Sequence, residues 1–106
     1  MKIEETLEGI KRLFDLTGKV AIITGGSGRF GKAVSIGLAA HGADVVVTSR
    51  TLSSLKEVAH EIRKLGKKAL PISCDVTDPK SVDSVVHQTV KEFGRVNILI
   101  TAAGIA

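Results

Sequence analysis

Lys19-Val20-Ala21-Ile22-Ile23-Thr24-Gly25-Gly26-Ser27-Gly28-Arg29-Phe30-Gly31 is the stretch on which the fold turns. Its first six residues form a short apolar run of the kind buried on both faces of a sheet. A glycine cluster stops the run. From Phe30, apolar or small residues at 30, 33, 34, 37 and 38, with His41 in line after them, then trace one helical stripe, closed by Gly42.

The same alternation continues downstream. Ala43 to Thr48, centred on Val45-Val46-Val47, reads as a second strand. The next helix carries Leu52, Leu55, Val58, Ala59, Ile62 and Leu65 on one face and ends at Gly66. Ala69 to Cys74 is a third strand, and Pro71 within it points to a sheet edge. Asp78-Pro79 is an N-cap followed by proline at the first helical position, with Val82, Val85, Val86, Val90 and Phe93 as the apolar face before Gly94. Val96 to Thr101 is the fourth strand.

Strands separated by helices, with no hairpin signal, require right-handed crossovers and a parallel sheet. The expected class is α/β, a Rossmann-like parallel sheet with strand order 3-2-1-4, truncated after the fourth strand. Two helices should cover one face and one the other, leaving apolar sheet and a strand edge bare; such a chain should self-associate or be poorly ordered. Upstream, Ile3, Leu7, Ile10 and Phe14 recur at helical spacing. Residues 1–14 are therefore expected to form an amphipathic helix, and 15–106 the N-terminal half of a Rossmann-like domain.

Composition bounds the function. At 106 residues, 43% hydrophobic and 25% charged, the chain makes one globular domain at most. A single cysteine excludes a disulfide framework, no Cys/His cluster has zinc spacing, and no signal-like or 18-residue apolar run occurs; a cytoplasmic protein without membrane association is expected. The net charge of +4 invites a nucleic-acid reading. The surplus, however, sits in residues 50–68, where Arg50, Lys56, Arg63, Lys64, Lys67 and Lys68 face only Glu57 and Glu61. With three Phe and no Trp or Tyr there is no stacking platform, so no nucleic-acid partner is expected. His41, His60 and His87 are scattered, Cys74 suits a strand-end filler, and Ser53, Ser54 and Ser73 lack a neighbouring base; none is assigned a role.

The glycine turn carries the chemistry. Gly26, Gly28 and Gly31 spell G-x-G-x-x-G between a buried strand and a helix, where bare backbone and the helix N-terminus attract a pyrophosphate. The competing reading is a turn that only packs helix on strand. At the end of the second strand stand Thr48-Ser49-Arg50 and no carboxylate. Arg50 can fork onto a 2′-phosphate and Ser49 can donate to it, so NADP is expected over NAD; the alternative is a solvated loop arginine.

These residues, in this order, resemble the short-chain dehydrogenase/reductase family from about Phe14 to the last residue. Phe14 to Gly26 is similar to the opening of many members, including gluconate 5-dehydrogenase-like enzymes and 3-oxoacyl-carrier-protein reductases. The family's T-G-x-x-x-G-x-G turn falls on Thr24, Gly25 and Gly31, Cys74-Asp75-Val76 matches its adenine-contacting Asp after the third strand, and Thr101-Ala102-Ala103-Gly104 stands where N-N-A-G is usual. Arg29 replaces the middle glycine of the turn, Thr101 and Ala102 replace two asparagines, and Asn97 stands where Asp is common. The resemblance implies a cofactor site of Gly25, Ser27, Gly28, Arg29, Phe30, Gly31, Ser49, Arg50, Asp75, Val76, Ala102, Ala103 and Gly104.

It further implies a homo-oligomeric oxidoreductase exchanging hydride between nicotinamide and a small alcohol or ketone. The family's catalytic Ser and Tyr-x-x-x-Lys have no counterpart here, and the chain contains no tyrosine. The expectation is therefore a cofactor-binding half that does not turn over alone, with no catalytic residue and no metal assigned. The alternative is a non-catalytic nucleotide-binding module.

Overall fold

The computed structural model describes residues 2–102. Its elements alternate as α1 (Ile3–Leu13), β1 (Val20–Thr24), α2 (Arg29–Ala40), β2 (Asp44–Ser49), α3 (Leu52–Lys64), β3 (Ala69–Ser73), α4 (Pro79–Phe93) and β4 (Ile98–Thr101). All strand pairs are parallel, as the crossover argument requires, and the sheet order β3-β2-β1-β4 is the expected one. Pro71 indeed lies on an edge strand, opposite Val47.

Strand alternation divides the core. Ala21, Ile23, Val45 and Val47 point to one face, where Ala39 of α2 and Leu55, Val58, Ala59 and Ile62 of α3 cover them. Ile22, Val46, Ile72 and Cys74 point to the other, where α4 supplies Val85 and, less deeply, Phe93. The central strands are thus buried on both sides, which explains their unbroken Val/Ile composition. Ile62, fully buried, contributes on the order of 2–5 kcal/mol by the usual cost of truncation to alanine.

Two helical faces differ from expectation. On α2 the fully buried line is Gly31, Ser35 and Ala39; of the expected stripe Leu38 packs half-buried against the core and Val34 is half-buried, while Phe30 and Ala33 are exposed. Small residues win because α2 lies close against the sheet; the Ser35 hydroxyl is satisfied by donating to the Gly31 carbonyl at 2.7 Å. On α4 the buried residues are Val85 and Thr89, while Val82, Val86 and Val90 remain exposed. Thr89 can occupy the interior because its hydroxyl donates to the Val85 carbonyl at 2.7 Å.

The fourth strand also begins later than the apolar run suggests, at Ile98. Asn97 forms its anchor: its N–H donates to the Val20 carbonyl and its Oδ1 accepts from the Val20 N–H, both at 2.9 Å. Beyond that anchor, Leu99 points outward beside the exposed α4 valines, so the apolar trough foreseen from the element count is present. Helix α1 buries none of its residues. No helix among the described residues is long and apolar enough to cross a membrane.

Candidate functional site

The sheet order reverses between β1 and β4, and a doubly wound sheet opens a crevice beyond its strand ends at that point. Here the crevice is a cleft of about 630 Å³ lined by Gly25, Gly28, Arg29, Phe30, Gly31, Ala33 and Ala102. Its floor is the β1–α2 turn. Gly25 has φ +69°, a conformation that L side chains rarely adopt. The Gly26 N–H donates to the Thr48 carbonyl at 2.9 Å, which ties the turn to the end of β2.

Close approach, more than torsion, demands glycine at position 31. A Cβ there would lie 2.0 Å from the Gly25 carbonyl oxygen. At Gly26 a Cβ would meet the Val47 Cβ at 2.9 Å, whereas at Gly28 it would find only an ordinary contact at 3.5 Å. The glycines that shape this turn are therefore 25, 26 and 31. Gly28 is the N-cap of α2 and offers no side chain to the first-turn N–H groups. Those donors and the positive end of the helix dipole face an acceptor that must come from outside the helix.

Arg29 begins α2, one residue earlier than the sequence stripe suggests. It is exposed and on the cleft wall. Ala102 closes the opposite wall; its N–H donates to the Thr24 carbonyl at 3.0 Å. Ala103 and Gly104 lie outside the described residues.

A second cleft, of about 390 Å³, shares Gly25 with the first and extends over the ends of β2 and β3. Ser27, Ser49, Arg50 and Val76 line it, together with Thr48, Thr51 and Cys74, which sequence reasoning did not select. The pairing register brings two of them there: Thr48 sits opposite Ile72, and Cys74 follows directly on β3, its N–H donating to the Ser49 carbonyl; Thr51 arrives through the turn after β2 as the N-cap of α3. Ser27 Oγ donates to Ser49 Oγ at 3.1 Å, linking the glycine turn to the second strand.

Asp75, between the lining residues Cys74 and Val76, pairs with Arg50 at 3.6 Å. The same carboxylate oxygen accepts from the Thr77 hydroxyl at 2.7 Å and the Thr77 N–H at 3.0 Å. Those bonds, the hydroxyl's first, hold the Asp75 carboxyl below its ordinary value, with a smaller contribution from the Arg50 charge. Both side chains are largely solvated, so the ion pair is loose and leaves the guanidinium available to a stronger anion. Among the described residues no group of three or more His, Cys, Asp or Glu could hold a metal ion.

The family model of short chain dehydrogenases matches residues 19–106, which hold both clefts. The chain belongs to the short-chain dehydrogenase family. A short-chain type dehydrogenase/reductase from Mycobacterium marinum superposes with a TM-score of 0.81 at 46% identity, over 83% of this chain and 36% of that one. An uncharacterized oxidoreductase of Mycobacterium tuberculosis is 38% identical over 92 residues, 87% of this chain and 35% of its own length. An L-rhamnose 1-dehydrogenase (NAD(P)(+)) of a Sphingomonas species is 36% identical over 91 residues, 85% of this chain and 36% of its own. This short-chain dehydrogenase sequence thus spans little more than a third of the relatives it matches.

Proposed function

We propose that this chain is the cofactor-binding part of an NADP(H)-dependent oxidoreductase acting on an alcohol or ketone. The observation that carries the reading is the pair of clefts meeting at Gly25. A dinucleotide's pyrophosphate would rest on the backbone from Gly25 to Gly31, against the N-terminus of α2. The adenosine end would take the cleft of Ser27, Ser49, Arg50, Asp75 and Val76, and the nicotinamide end the side of Ala102, continuing toward Ala103 and Gly104. Arg29 and Phe30 would line the entrance.

The bound dinucleotide supplies hydride, and the protein's part here is to hold and orient it. Arg50 and Ser49 would meet a 2′-phosphate, with Arg50 exchanging its loose contact to Asp75 for a charge-assisted bond. In this reading the proton that accompanies hydride transfer is exchanged by groups outside these 106 residues, which contain no tyrosine. Cytoplasmic placement, suggested by the lone Cys74, and a homo-oligomeric assembly belong to this proposal.

Titration with NADPH and NADH, followed by calorimetry, tests it. NADPH is expected to bind more tightly, and Arg50→Asp to reverse the order. Absence of binding to either nucleotide removes the cofactor reading; an unchanged ratio in the variant removes Arg50 as the discriminator.

A further inference from the structure

Among the described residues helix α1 has no partner along its length; only its last residue, Leu13, comes near another element, beside Val34 and Leu38 of α2. Ile3, Leu7, Ile10, Leu13 and Phe14 are all exposed, and no α1 residue is buried. A free helix of 11 residues is too short to be stable in water unless its apolar stripe is covered. The spacing of that stripe, 3, 7, 10 and 14, alternates four and three, the seam of a two-stranded coiled coil. On that seam Ile3 and Ile10 are d positions and Leu7 and Phe14 a positions.

Charge placement then selects the occupant and its direction. The two residues that follow the d positions, and so flank the seam as e positions, are Glu4 and Lys11. The opposite flank carries Thr6 and Leu13, which are uncharged. In a parallel pair an e residue meets a residue of the opposite flank, and no ion pair forms. In an antiparallel pair e meets e, so Glu4 of each copy faces Lys11 of the other.

We propose that α1 is a self-association element, pairing antiparallel with α1 of a second copy. Leu7 of one helix then packs against Ile10 of the other, and Ile3 against the Leu13–Phe14 end. The acidic first turn and basic last turn also suit the helix dipole of a single copy. The two effects separate under charge exchange, because swapping both residues opposes the dipole while preserving the pairing between copies.

Sedimentation equilibrium of the chain, Glu4→Lys and Glu4→Lys/Lys11→Glu at low salt reads this out, with thermal melting as a check on the body. Glu4→Lys is expected to weaken dimerisation about tenfold and the double exchange to restore most of it. Orientation is read separately with Cys74 replaced by Ser: mixing a Glu4→Cys chain with a Lys11→Cys chain and a short bis-maleimide should give the mixed cross-link in preference to either like pair. Like-position cross-links, a dimer indifferent to Glu4→Lys, failure of the double exchange to restore it, or a monomer that instead cosediments with phosphatidylserine vesicles would each overturn the proposal.

Discussion

Gly31 and Gly28 look alike in the sequence, yet a methyl group separates them. Alanine at 31 forces its Cβ to 2.0 Å from a carbonyl oxygen, and backbone must move; alanine at 28 meets its neighbour at 3.5 Å. Gly31→Ala is therefore expected to destabilise the chain by about 2 kcal/mol or more and to abolish nucleotide binding. Gly28→Ala should cost about 1 kcal/mol at most. Thermal melting with and without NADPH checks both. At Asp75 the folded carboxyl titrates below its ordinary value of 3.8, chiefly because the Thr77 hydroxyl and N–H stabilise the anion. A depressed carboxyl contributes stability above the unfolded value, and that contribution disappears as pH falls through the folded value. Thr77→Val should raise the Asp75 pKa toward 3.8, read from carboxyl chemical shifts during an acid titration. The residues of this cleft that the motif did not indicate, Thr48, Thr51 and Cys74, carry no signature of their own. They reach it through strand register and the turn after β2, which a one-dimensional pattern does not display.

Elements were legible where their ends carry stereochemical punctuation. Asp78 caps α4, its side chain accepting from the Lys80 N–H at 3.1 Å with Pro79 behind it, and Gly94 terminates the helix at φ +84°. Asp78→Ala is expected to lower stability by about 1 kcal/mol, measured as a shift in the denaturation midpoint. Helix faces were less legible than helix ends. Both α2 and α4 carry enough apolar residues for two stripes, and hydrophobicity alone favours the bulkier one. The sheet instead receives Gly31, Ser35 and Ala39 from α2 and Val85 and Thr89 from α4, because closeness of approach and an internal hydroxyl bond outweigh side-chain size. In α3, with a single stripe, expectation and structure agree at Leu55, Val58, Ala59 and Ile62.

At the scale of the molecule the two faces of the sheet are unequal. α2 and α3 enclose one, whereas α4 alone leaves Val82, Val86, Val96 and Leu99 around an apolar trough of about 200 Å³. Exposed apolar surface of this kind should bind the dye ANS and promote association. Val86→Lys/Leu99→Lys is expected to reduce dye fluorescence and the sedimenting mass without shifting the melting temperature downward by more than a few degrees. Association through this trough should persist at high salt, unlike pairing that depends on Glu4 and Lys11. The order of elements, the parallel sheet and the place of the glycine turn between β1 and α2 were determined by the amino-acid sequence alone, since periodicity, caps and crossover handedness are local or topological rules. Which glycine is indispensable, which helix face is buried and which side chains share a cleft were decided only by the tertiary structure. Those properties depend on distances between segments far apart in the chain, and steric repulsion between such segments changes steeply over less than an ångström.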